Sequence, residues 1–125
     1  MNKPYPTTDG SATPSGLSER TAGKVAEQIA GLVARMGDRF PSILLERPGE
    51  PCKPFAIGIT ESLRARCASA AERNLMYGLA ARLTRRTAYI EALAAPGAMR
   101  HDPDGRPVES VSAEARQFAK RRLGR

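Results

Sequence analysis

The sequence predicts a mostly α-helical domain of α+β type, with about five helices and one small β-hairpin. Three observations carry that prediction. Apolar residues recur at helical spacing, Ser or Thr stands where helices would open, and one Asp-Pro-Asp-Gly turn separates two short extended stretches. At 125 residues the chain has room for a single small domain. Residues 1–16, "MNKPYPTTDGSATPSG", have the polar, Pro/Gly/Ser-rich composition of a disordered tail, so the domain is expected over 17–125.

Ser18 opens the first predicted helix, in which Val25, Ile29, Leu32, Val33 and Met36 form an apolar stripe and the opposite face mixes charges of both signs. Prolines interrupt the next stretch, where Ile43, Leu44 and Leu45 read as a short extended segment. A short helix then runs from about Ile59 or Thr60 to Cys67, with Leu63 and Cys67 inward and Arg64 outward. Ser69 and Glu72 form a capping box for a third helix whose buried stripe is Leu75, Met76, Leu79, Ala80 and Leu83. Arg73 and Tyr77, four residues apart, share a different face.

Thr84 reads as the cap of a fourth helix that turns Ile90, Leu93 and Ala94 inward and stops at Pro96-Gly97. Asp102-Pro103-Asp104-Gly105 is strong turn chemistry between "AMRH" and "RPVE", hence the hairpin. Ser112 caps a last helix with Ala115, Phe118, Ala119 and Leu123 inward. Its cations Lys120, Arg121 and Arg122 gather at the C-terminal end, where the helix dipole favours them.

The formal net charge is +7, and it is unevenly placed. Residues 1–52 hold six Lys/Arg and six Asp/Glu; residues 53–100 hold eight against three; residues 101–125 hold six against four. A localised positive field of this kind favours a polyanion. No apolar run approaches a membrane span, and the N-terminal stretch lacks the apolar core of a signal peptide, so a cytoplasmic protein is expected. Two cysteines, Cys52 and Cys67, and one histidine, His101, fall short of a metal-ligand cluster; free thiols and no metal or cofactor are expected.

Catalysis is hard to assemble from these residues. There is no nucleophile elbow and no phosphate-binding Gly-rich loop; Asp102 and Asp104 are explained by the turn, and His101 reads as a surface residue of the hairpin. No enzyme is expected. Binding is easier to assemble, from Lys53, Arg64, Arg73, Tyr77, Arg82, Arg85, Arg86, Tyr89 and Arg100. A helix N-terminus capped by Thr84 and flanked by Arg85 and Arg86 is a seat for a phosphate, with Tyr89 one turn on. The plainer alternative is that Tyr89 is a core residue and the arginines are merely solvated.

Three segments, "KPFAIGITESLRAR", "LTRRTAYIEALAAPGAMRHDPDGRPV" and "SAEARQFAKRRL", together resemble the ProQ/FinO RNA-binding domain of bacteria, over about Arg39 to Leu123. The elements that carry the resemblance are Ile57-Gly58-Ile59, the tyrosine of the fourth helix, and the Pro-Gly-Ala-x-Arg-x-Asp-x-Asp-Gly run, in order and suitably spaced. Ala56, where many relatives carry Lys or Arg, and Pro103, where an apolar residue is common, are departures.

The resemblance implies an RNA chaperone with a concave basic face that holds the 3′ end of structured RNA, a terminator hairpin with a U-rich tail. It implies that Thr84 and nearby backbone N–H groups hold the terminal phosphates, that Tyr89 meets the last nucleotide, and that Arg100 reaches the same backbone; Arg73 falls on a basic position of the third helix. The expected partners are small regulatory RNAs and mRNA 3′ ends, bound by a monomer in post-transcriptional regulation. Two rivals remain open. One is a DNA-binding helix-turn-helix module that uses the helix from Ala70 to Leu83; the other is a protein-interaction adaptor that docks through its first helix.

Overall fold

In the computed structural model, residues 19–45 and 50–124 are described. The expected tail over residues 1–16 and the cap at Ser18 lie outside them. Helix α1 runs from Glu19 to Met36 and tightens into a 3-10 turn over Gly37–Arg39. A second 3-10 turn, Ser42–Leu44, precedes α2 (Ile59–Ala65), α3 (Ala70–Thr84) and α4 (Thr87–Ala94). Strands β1 (Met99–His101) and β2 (Pro107–Ser110) form an antiparallel hairpin, and α5 (Ala113–Arg122) closes the domain. Among the described residues, five α-helices and one hairpin are thus present.

Helix α1 packs on α3, α3 also meets α2 and α4, and α4 packs on α5. The core between them is built from Val25, Leu32 and Met36 of α1, Met76, Leu79 and Leu83 of α3, and Ile90 and Ala94 of α4, all buried. Two predicted caps form as expected. Ser69 Oγ accepts from the Glu72 N–H at 3.1 Å, and Ser112 Oγ accepts from the Ala115 N–H at 3.1 Å.

Three residues assigned to buried stripes are instead exposed: Val33, Leu75 and Phe118 (40%, 42% and 57%). Each sits one position from a fully buried residue, namely Leu32, Met76 and Ala119. One residue step turns about 100° around a helix, so a helix covered over a narrow sector leaves that neighbour in solvent. The expected extended segment at Ile43–Leu45 is also corrected. Its first two residues belong to the 3-10 turn that starts after Pro41, and Leu44 is wholly buried.

The hairpin is bolted to the rest at its tip. Asp102 Oδ1 accepts from the Asp104 and Arg106 N–H groups at 2.9 and 3.0 Å, and Gly105 takes a φ of +83° that closes the turn. Pro103 is buried, and its carbonyl accepts from the Ile43 N–H at 3.0 Å, which ties the turn to the Ser42–Leu44 segment. Arg66, just past α2, donates to Asp104 at 3.0 Å. No helix among the described residues is long and apolar enough to cross a membrane.

Candidate nucleic-acid interface

The site is organised around an extended stretch ahead of α2. Residues 54–56 run parallel to β1, with the His101 N–H donating to the Pro54 carbonyl at 2.7 Å and the Ala56 N–H donating to the His101 carbonyl at 2.9 Å. His101, placed at the surface by the sequence reading, is half-buried there, with Nδ1 3.2 Å from the Pro54 carbonyl oxygen. Gly58 then turns the chain into α2 with a φ of +80°, a conformation that favours glycine. The Ile57 N–H at this turn donates to Glu109 of β2 at 3.0 Å.

Phe55 is gripped at both ends of its backbone. Its N–H donates to the Tyr89 hydroxyl at 2.9 Å, and its carbonyl accepts from Arg100 Nη1 at 3.0 Å. The two rings meet edge-on, with centroids 5.3 Å apart and planes at 66°. Tyr89 is buried, at 6% exposure, and burial pushes its phenol above the ordinary value while the Phe55 N–H and the nearby arginines pull the other way. The phenol therefore stays protonated at neutral pH. Because its oxygen already accepts from Phe55, its own hydrogen is left to donate.

A cavity of about 420 Å³ opens beside this arrangement. Its walls are Ile59, Thr60 and Leu63 of α2, Tyr77, Ala80, Ala81 and Thr84 of α3, Tyr89 of α4 and Arg100 of β1, with Phe55, Ala56 and Gly58 closing one side. Small side chains at positions 80 and 81 of α3 leave the space that larger residues would fill. Arg100 Nε is buried with no hydrogen-bond partner. On the rim, Arg64 Nε donates to the Tyr77 hydroxyl at 3.2 Å, and that bond holds the guanidinium further above its ordinary value. An apolar cavity with a cation and two phenols at its edge suits one flat, anionic ligand group.

A model of the ProQ/FinO family matches residues 26–125. The chain belongs to the ProQ/FinO family. Among solved structures, a FinO-like RNA chaperone from Neisseria meningitidis MC58 is similar in fold, with 21% sequence identity over 93% of this chain and 92% of that one and a TM-score of 0.50. No curated protein matches the sequence.

In this ProQ/FinO domain the residues predicted for the site divide into three groups. Tyr77, Thr84, Tyr89 and Arg100 line one cavity, and Arg64 joins them through Tyr77. Lys53 and Arg86 border a second cavity of about 210 Å³, which shares only Phe55 with the first. Arg86 is itself buried, and its Nε donates to the Leu83 carbonyl at 2.8 Å. Arg73, Arg82 and Arg85 line neither cavity.

One local expectation is corrected. Thr84 is the last residue of α3, and its hydroxyl donates to the Ala81 carbonyl at 3.1 Å; the N-cap of α4 is Arg86, without a side-chain cap bond. Helix α3 thus runs one residue past the expected break, through Thr84. Arg85 and Arg86 therefore occupy the joint between α3 and α4 rather than the first turn of α4.

Sequence reasoning missed the backbone of Phe55, the walls at Thr60 and Leu63, and the partnership of Arg66 with Asp104. The run Gly78-x-Ala80-Ala81 was a legible signal of a helix face built to leave room. Among the described residues no group of three or more His, Cys, Asp or Glu side chains is placed to hold a metal ion.

Proposed function

We propose that this protein is an RNA chaperone whose cavity between α2, α3, α4 and β1 receives the 3′ end of a structured RNA. The observation that supports this most is convergence: Tyr77, Thr84, Tyr89 and Arg100 come from three separate elements and line one opening. Family membership and the FinO-like RNA chaperone of similar fold support the same ligand class.

The ligand is a terminator-type hairpin with a U-rich tail, drawn from small regulatory RNAs and mRNA 3′ ends. A single-stranded end fits where a duplex does not, because only unstacked bases expose their faces and edges to side chains. The Tyr89 hydroxyl donates to the last nucleotide while the Arg100 guanidinium neutralises its phosphate. The Thr87 and Ala88 N–H groups, at the start of α4 three residues after Thr84, precede its first intrahelical bond and favour a second phosphate. The role is stoichiometric, a cytoplasmic monomer shielding the 3′ end rather than transforming it.

Fluorescence anisotropy tests this with three probes at fixed salt: a hairpin with a U-rich 3′ tail, the same hairpin with the tail trimmed, and duplex DNA of equal length. The tailed hairpin is expected to bind tightest. Equal affinity for all three probes means a general polyanion binder and ends the 3′-end reading. Preference for the duplex DNA supports the helix-turn-helix rival.

A further inference from the structure

Helix α5 contributes no residue to the cavity, yet it carries a cationic and aromatic face of its own. Ala119, at 1% exposure, fixes the inner side of α5 in the core. Phe118, one position earlier, is 57% exposed, and the Arg121 guanidinium lies over its ring, 5.9 Å from the centroid. Gln117, Arg121 and Arg122 are exposed as well, and Lys120 is half-buried. Phe118, Arg121 and Arg122, at i, i+3 and i+4, share one face, and the acidic residue of α5, Glu114, lies one turn before Phe118 at the N-terminal edge of that face, away from the two arginines.

We propose that this face is a second RNA contact, distinct from the cavity, at which Phe118 stacks a single-stranded nucleobase and Arg121 and Arg122 hold the flanking phosphates. The inference rests on the RNA-binding reading of the cavity and extends it to nucleotides outside the hairpin. A lone exposed apolar side chain is ordinary on a soluble protein. What separates Phe118 is its setting: a guanidinium stacked on one side of the ring and a second one turn along the helix. Aromatic rings beside cations are the sequence-tolerant platform for unpaired nucleic acid, because every base has a stackable face and every nucleotide brings a phosphate.

A protein partner fits less well. The apolar surface is one ring bordered by Gln117 and two arginines, which is not the contiguous apolar patch of a protein interface. A duplex fits less well too, since its bases are already stacked.

The test uses the full chain with two RNAs, the U-tailed hairpin alone and the same hairpin with an unstructured 5′ extension of about a dozen nucleotides, long enough for one single-strand site. The extension is expected to tighten binding of the unsubstituted protein on the order of ten-fold. Phe118→Ala should remove that gain and leave binding of the plain hairpin unchanged, Phe118→Tyr should keep it, and Arg121→Gln should reduce it. An extension that gives no gain, or a gain that survives Phe118→Ala, overturns the proposal while the cavity reading stands. If neither RNA binds the unsubstituted protein, the cavity reading fails first. If Phe118→Ala instead dissolves a dimer in sedimentation, the face pairs two copies of the chain and the RNA assignment is wrong.

Discussion

Tyr89 and Arg100 hold the two ends of one residue: the phenol accepts from the Phe55 N–H at 2.9 Å, and the guanidinium donates to the Phe55 carbonyl at 3.0 Å. They lie 34 and 45 positions from Phe55, and only the pairing of 54–56 with β1 brings all three together. The arrangement gives both side chains a structural duty besides any contact with RNA. It also fixes their spacing, since only the Phe55 Cα separates the two backbone groups they bind.

That duty changes what Tyr89→Phe should do. The substitution removes the hydroxyl offered to RNA, and it also strands the buried Phe55 N–H without its acceptor. The expected loss is about 1–3 kcal/mol of stability, read by urea unfolding, together with weaker binding of the tailed hairpin. A variant with undiminished stability would mean that the Phe55 N–H finds another acceptor.

Arg100→Ala should weaken hairpin binding and make its salt dependence shallower. For roughly four to six phosphate contacts, log affinity against log salt should fall with a slope of about −3 to −5, and losing one contact removes about 0.7 to 1 from that slope. Measured affinities across a salt series settle it. If slope and affinity are both unchanged, Arg100 serves only to secure Phe55.

Acid should loosen the fold through two carboxylates. Glu72, with its side chain only 9% exposed, sits 3.0 Å from Arg39 and accepts from the Ala68 N–H at 2.9 Å; the Arg39 bond is the main cause holding its carboxyl below the ordinary 4.5. Asp104 is held below the ordinary 3.8, chiefly by its bond to Arg66. A carboxyl whose folded value is depressed stabilises the fold above its unfolded value and stops doing so as pH falls through the folded one. The melting temperature should therefore hold steady from neutral pH down to about 5 and drop below that. Glu72→Gln should melt lower at neutral pH and show a flatter acid limb, as followed by circular dichroism.

Much of the fold is legible in local chemistry. The Ser69 and Ser112 caps, the stop at Pro96-Gly97 and the Asp102–Gly105 turn each depend on residues within a few positions, so neighbours alone dictate them. Thr84 shows where that logic fails. A Thr before two arginines is good cap chemistry, but the Thr84 hydroxyl bonds back to the Ala81 carbonyl of its own helix and Arg86 takes the N-cap position. Val33, Leu75 and Phe118 fail for a related reason, because an apolar residue states that it could be buried and not that a partner covers it.

The sequence by itself determined the helices, the hairpin, the excess of positive charge and the family to which the chain belongs, since each is written in short-range spacing or in ordered motifs. Only the tertiary structure decided which cations meet. It put Arg100 and Arg64 around one cavity, sent Lys53 and Arg86 to another, and left Arg73, Arg82 and Arg85 at neither. The physical reason is that a charged side chain is soluble wherever it lands, so its own residue type carries no record of its position. That position comes from the packing of the apolar residues beside it, and from backbone groups such as those of Phe55 that must find partners once water is excluded.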